Sequence, residues 1–273
     1  MAKEKLSPRQ KMINLMYLVF LAMIALNMGK QVLDAFGLVN QKFEVSNRRD
    51  TQGISSAMEQ LSLKASESPA QFAQINEQSK QIKTISDDLY NYVQGLKDGL
   101  EKAIGQSDKK VNEKDYQAMD KSDYTDHLFF AEGATEGKKF VENIKNYREA
   151  LLKVLGDTPA YAEIARKVKD NFNTDAVKDR DGNTVQWLNF NFEGFPYIAS
   201  LAKFSMMQSD ILSVQQEFVS KALEGQLKDQ VSMTKYTTLL EQGKGAYYQG
   251  EKFDGSIVLG RKDASTRPNS IEL

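Results

Sequence analysis

Cysteine is absent from the chain, and histidine occurs once. Without thiols there is no disulfide, no thiolate nucleophile and no cysteine-based zinc site. The absence does not identify a compartment, since an oxidising space permits disulfides without requiring them. The single histidine, His127, sits in Asp126-His127-Leu128 with no nucleophile motif around it, and a serine triad needs a histidine base. Only five prolines interrupt 273 residues, which favours long helices over a loop-rich fold. Charge of one sign is missing too: 36 basic side chains face 37 acidic ones, so no global field argues for nucleic acid. Phosphate-loop and dinucleotide glycine patterns do not occur, and Gly243-x-Gly245 has the wrong continuation for either. Asp179-Arg180-Asp181-Gly182-Asn183 suggests a calcium loop, but with Gly182 at the sixth position an EF-hand needs an acid at Val177 and a glutamate at Leu188. A simple turn is the expectation there. Asp123 and Asp126 read as helix-start residues rather than a metal pair. The expectation is a protein that is not an enzyme and holds no metal and no cofactor.

What is present is one long uncharged run. Met12 to Gly29 holds eighteen residues without a charge, between Lys11 and Lys30. At ~1.5 Å per residue it spans ~27 Å, close to the ~30 Å hydrocarbon core of a bilayer. Asn14, Tyr17 and Asn27 are too few to give it a polar face. The rival reading is a cleaved signal peptide, whose apolar region usually runs ~7–15 residues before a small-x-small cleavage site. The exit Ala25-Leu26-Asn27-Met28-Gly29-Lys30 fits that pattern poorly, so the reading is a retained single transmembrane helix. Lys3, Lys5, Arg9 and Lys11 crowd its N-terminal flank against Glu4 alone, which places the N-terminus in the cytoplasm. Lys30, Lys42, Arg48 and Arg49 follow the span, but a long following domain crosses largely regardless of its charge. At 100° per residue, Ala22, Ala25 and Gly29 cluster on one side, with Asn14 and Leu18 nearby. Ala25-x-x-x-Gly29 is a small-xxx-small pair that lets two helices approach closely. Arg9 and Asn27 fall on the opposite side, with Tyr17 between the two. The span contains no Asp, Glu, Lys or His, so it carries no group that could relay a proton. Any ion-driven role needs a carboxylate from another chain.

The rest of the chain divides accordingly. Residues 1–11 form a cytoplasmic arm in which Ser7-Pro8 reads as a helix start, and 12–29 form the membrane helix. Residues 30–235 form a helical bundle domain on the far side, and 236–273 a linker and the start of a truncated β domain. The fold class is mainly α. Val32, Phe36, Val39 and Phe43 recur at helical spacing and carry the membrane helix onward, with Gly29 and Gly37 as weak points. Ile54, Met58 and Leu61 extend it to a turn at Glu67-Ser68-Pro69. Ile75, Ile82, Leu89 and Leu96 fall seven apart on a second amphipathic helix, and Gly105 to Lys114 reads as a loop. Phe140, Ile144, Tyr147, Leu151 and Leu155 mark a third helix stopped by Gly156, and Thr158-Pro159 opens a short one reaching about Asp170. Val185 to Phe192 reads as a short strand or an extended wall. Tyr197 to about Lys235 gives the longest pattern, with Met206-Met207 as bundle core. Ala246-Tyr247-Tyr248 and Ser256-Ile257-Val258-Leu259 look like two strands.

The stretch from Leu6 through Ser7-Pro8-Arg9-Gln10-Lys11-Met12-Ile13-Asn14-Leu15-Met16-Tyr17 to Phe20, continuing at Ala25-Leu26-Asn27, closely resembles the N-terminus of the GldM family. Some members of this Bacteroidetes gliding-motility and type IX secretion family are called PorM. A second patch, Phe195-Pro196-Tyr197-Ile198-Ala199-Ser200-Leu201 with Gln208-Ser209-Asp210-Ile211, is similar to the family's first periplasmic domain. The resemblance implies an inner-membrane motor component driven by proton-motive force. In it, two copies of the helix, a homodimer, pass through a pentameric ring of a GldL-type two-span protein. Helical and β-sandwich periplasmic domains reach a GldK/GldN ring, through domains that this chain would lack. Family roles fall on Arg9 and Tyr17, at matching motif positions, and Asn14 and Asn27 join them as partner contacts in the membrane. Ala22, Ala25 and Gly29 would pack the two helices, and lipid would surround the assembly. The other reading is a structural tether of an envelope secretion complex with no motor role.

Overall fold

The computed structural model describes residues 7–110, 114–231, 236–242, 246, 248–252 and 255–261, with side chains at all but 24–28, 225–231, 236–242 and 259–261 of these. Its first element, α1 (Pro8–Glu67), is one unbroken helix of 60 residues, ~90 Å long at ~1.5 Å per residue. It begins as the Ser-Pro pair predicts. The Ser7 hydroxyl oxygen accepts a hydrogen bond from the Gln10 backbone N–H at 3.3 Å, and Pro8, which has no N–H to satisfy, stands at the first helical position. No proline interrupts it, and Gly29, Gly37 and Gly53 stay helical. It ends at Ser68, where Pro69 cannot continue the ladder and instead opens α2 (Pro69–Ala103).

Of the expected line on α2, Ile82, Leu89 and Leu96 are buried and Ile75 only half-buried, with Phe72, Val93 and Leu100 buried beside them. A short 3-10 turn at Tyr116–Ala118, capped by Asp115, leads into α3 (Asp123–Phe130). In α4 (Glu136–Leu155) the predicted line Phe140, Ile144, Tyr147, Leu151 and Leu155 is buried throughout. Gly156 stops it with φ +60, ψ −169, a backbone region only glycine enters freely. A 3-10 turn at Pro159–Tyr161 opens α5 (Ala162–Asn171). The long α7 (Tyr197–Val231) packs against both α1 and α2, while α4 lies on α2 and α5 bridges α4 and α7. The result is a helical bundle with one continuous apolar core.

Four expectations are corrected. The segment 185–192 is not extended. β1 (Val177–Lys178) and β2 (Thr184–Val185) form a two-residue hairpin, and Trp187–Phe192 is a helix, α6. Trp187, Leu188 and Phe192 share one side of α6 at 100° per residue, and Trp187 and Phe192 join Phe129, Phe140 and Phe204 in an aromatic cluster. Phe190 points away and is exposed. The first part of the inward stripe of α1 is turned from the one expected: Val32 and Val39 are exposed, Phe36 and Phe43 are only half-buried, and Leu33, Asn40 and Asn47 are buried, while Ile54 and Leu61 are buried as expected. Met206 is exposed rather than core. At the C-terminal end the paired strands are β3 (Tyr236–Gln242) and β4 (Gly255–Arg261), antiparallel, with Tyr236 opposite Arg261 and Gln242 opposite Gly255. Of the expected strand Ala246-Tyr247-Tyr248, Ala246 and Tyr248 lie outside any strand, Tyr248 is exposed and Gly250 has φ +90, while Tyr247 lies outside the described residues.

Candidate functional site

From Pro8 to Met23 every side chain of α1 is exposed, including Met12, Ile13, Leu15, Met16, Leu18, Val19, Phe20, Leu21 and Met23. Among the described residues of α1, Leu33 is the first buried side chain. Soluble surfaces rarely leave more than a few hundred Å² of contiguous apolar area uncovered, so this half of the helix needs a cover of lipid or of other helices. Among the described residues no helix is long and apolar enough to cross a membrane. The side chains of 24–28, which complete the uncharged run, lie outside that set.

Because α1 is unbroken, it settles the positions of the candidate residues along one axis. Arg9 sits in its first turn and Tyr17 two turns later, 67% exposed. Asn14 and Ala22 are exposed as well. Ala25 and Asn27 belong to the helix, but their side chains lie outside the described residues. At Gly29 a Cβ would meet nothing within 4 Å, so its face is open for a close neighbour. Arg9 and Asn27 occupy one side of the helix at opposite ends of the run, and no side chain of the bundle covers the described members of the set.

The second motif patch has a different character. Tyr197, at the start of α7, is the centre of a corner. Its hydroxyl donates to the Asp123 carboxylate and accepts from the Tyr124 N–H at 3.1 Å, and its own N–H reaches Lys121 O at 2.8 Å. Asp126 Oδ1 accepts from the Gly194 N–H at 2.9 Å. Asp123 and Asp126 are therefore more than helix-start residues, since they tie α3 to the turn before α7. The hydrogen bond from Tyr197 holds the Asp123 carboxyl below its usual range. Lys203, one helical turn and a half further on, lies 3.4 Å from the centroid of the Phe195 ring and donates to Asn191 O. Burial pushes it down to about 8.

The loop at 179–183 closes on itself. Asp179 Oδ1 accepts from the N–H groups of Asp181 and Asn183 at 2.9 and 2.8 Å, and Gly182 takes φ +84. Among the described residues no cluster of three or more acids or histidines could hold a metal. Sequence reading missed the buried polar residues Asn40, Asn47, Lys97 and Gln208. The signal for the first two was their seven-residue spacing in register with Leu33, Ile54 and Leu61.

Two family models match the chain. The model of the GldM N-terminal domain matches residues 31–225, and that of the GldM second domain matches 227–272. No curated protein matches. The first match alone covers more than half of the chain, from the point where α1 enters the bundle to the far part of α7, and so the protein belongs to the GldM family, the cell-envelope components of gliding motility and type IX secretion.

Proposed function

We propose that this chain is the membrane-anchored part of a rotary motor driven by proton-motive force, which powers type IX secretion and gliding and passes torque to the periplasm. Residues 12–29 cross the inner membrane with 1–11 in the cytoplasm, the bundle of 30–235 lies in the periplasm, and 236–273 begin the next domain. The observation that carries the reading is the continuity of α1, whose uncovered apolar half runs without a break into the core of the bundle. A single helix ~90 Å long can turn as a shaft.

Arg9 supplies the electrostatics. A guanidinium stays charged at any physiological pH. In the low dielectric at the membrane edge it attracts an ionised partner carboxylate strongly, and it loses most of that attraction when the acid is protonated. Proton entry and exit at a two-span GldL-type partner thus switches the contact and biases stepping around a pentameric ring. One charge crossing ~100 mV is worth ~2.3 kcal/mol, so a few protons per step suffice. Tyr17, Asn14 and Asn27 contact the same partner, and Ala22, Ala25 and Gly29 let two copies of the helix pack within the ring. Contact with a GldK/GldN ring belongs to domains beyond the bundle.

Arg9→Met tests this. Membrane insertion and dimer formation are expected to stay intact while secretion and gliding stop; normal secretion in the variant would refute the electrostatic role. The tether reading also fits a rigid helix anchored in a bundle. Replacing 12–29 by an unrelated apolar span of equal length separates the two, because a tether keeps working and a motor stops.

A further inference from the structure

The buried face of α1 repeats every seven residues: Leu33, Asn40, Asn47, Ile54, Leu61. Between Leu33 and Ile54 no apolar side chain of this helix is fully buried. The layer that replaces apolar packing is a chain of hydrogen bonds that crosses between helices at nearly every link. The Asn47 amide donates to Ser205 O at 2.9 Å, and the Ser205 hydroxyl donates to Asn40 Oδ1 at 2.7 Å. Asn40 donates to Glu44 Oε1 at 3.2 Å, and Lys97 lies 3.4 Å from the same oxygen. Lys97 also donates to Gln208 Oε1 at 3.2 Å, and Gln208 donates to Gln94 Oε1 at 2.9 Å. Asn40, Asn47, Lys97, Ser205 and Gln208 are all 3% exposed or less. Beside the layer lies a cavity of about 430 Å³ whose wall includes Glu44, Asn47, Lys97, Glu101 and Lys114. Two of its cations pair with acids of the same wall, Lys97 with Glu44 and Lys114 with Glu101, and Arg48 also lines it. A space this polar admits water, and Asn47 Oδ1, which accepts no bond from the protein, borders it.

We propose that this layer is a key that locks α1 into one register and one rotational setting against α2 and α7, with Lys97 as its positioning residue. An apolar seam of heptad spacing is degenerate, since a slip of about one helical turn again sets apolar side chains against apolar ones. A hydrogen-bonded layer is not. A slip leaves the buried amides and the Lys97 ammonium without partners, which is costly, and the best-attested use of such groups in helical cores is to specify register. Burial already pushes the Lys97 ammonium downward, with the Glu44 carboxylate acting against that, so loss of Glu44 is felt at once. The purpose assigned to the lock, that a turning α1 carries the bundle round without slipping, rests on the motor reading; the lock itself does not.

The absence of cysteine makes the test direct. Spin labels at Ser55→Cys on α1 and Gln216→Cys on α7, both exposed, report the spacing of the two helices in the full chain by electron-electron resonance. The native layer is expected to give a single narrow distance. The variant Asn40→Leu, Glu44→Leu, Asn47→Leu, Lys97→Met, Ser205→Ala, Gln208→Met is expected to keep its helix content and Tm and to gain a second population shifted along the axis by roughly one turn, ~5 Å. Should that variant not fold, Asn40→Leu with Asn47→Leu is measured instead, with the same expectation. A single unshifted distance in the variant that folds would overturn the lock. In cells, a loosened register with undiminished secretion would overturn its transmitting role. Normal secretion in Arg9→Met, with the label distances unaffected, would instead remove the motor reading and leave the lock standing.

Discussion

Lys203 makes no ion pair with any described acid; it lies over the Phe195 and Phe192 rings, 3.4 and 5.6 Å from their centroids. The rings offset part of the cost of desolvating the ammonium, yet burial lowers it from 10.5 to about 8. Between those values the unfolded chain holds a proton that the folded chain has released, so stability rises with pH across that window and is lowest below it. Above about pH 10 the sign reverses, because Tyr92 and Tyr147, pushed up by burial, keep protons that the unfolded chain has lost. Urea unfolding at pH 7, 8 and 9.5 is expected to show the rise, and Lys203→Met to reduce it, Lys97, also lowered by burial, supplying the remainder; an equal slope in the variant would exclude Lys203 as a source. At Tyr197 the prediction concerns a carboxyl. In Tyr197→Phe the Asp123 carboxyl loses the hydrogen bond that holds it low, so its titration followed by NMR moves to higher pH. None of this was legible beforehand, because Tyr197 and Asp123 lie 74 positions apart and nothing local in either segment signals the other.

Among the elements, α1 shows most plainly what periodicity conveys and where it stops. Its start at Ser7-Pro8, its end at Ser68 and the buried lines of α2 and α4 follow from caps, breakers and spacing that act within a few residues. Its inward face did not follow, because the burying residues at its middle are asparagines, and an apolar pattern pointed to Val32 and Val39 instead. α6 was misread because aromatic residues at alternate positions satisfy a strand period, while burial selects the helical one. β3 was hidden because Thr237-Thr238-Leu239-Leu240 prolongs the apolar spacing of α7. Gly37 gives the element-scale prediction. It is buried where the ring of Tyr116 lies against the α1 backbone, leaving no room for a Cβ. Gly37→Ala gains ~1 kcal/mol of helix propensity but must displace that ring, at ~1–3 kcal/mol. A net fall in Tm is expected, relieved by Tyr116→Ala in the same chain; a rise in the single variant would show the ring to be free to move. Gly29→Ala, with open space around it, has no ring to displace and is expected not to lower the bundle's Tm.

For the whole molecule, one helix presents two kinds of surface. Its described side chains from 8 to 23 are uncovered, its upper half is held in a bundle by a polar layer, and the family match begins near the junction, at residue 31. The candidate residues of the lower half come from a local motif, Arg9 among other cations beside an uncharged run, and remain a proposal. The partner was not legible, since on the proposed reading the acid facing Arg9 would come from another chain. The most direct measurement is therefore a structure of the assembly extracted intact from membranes. The account predicts 12–29 of two copies inside a ring of two-span subunits, with Arg9 within ~4 Å of a partner carboxylate, the distance at which the attraction is strong in low dielectric. Arg9 lying in water with no acid facing it would contradict the account.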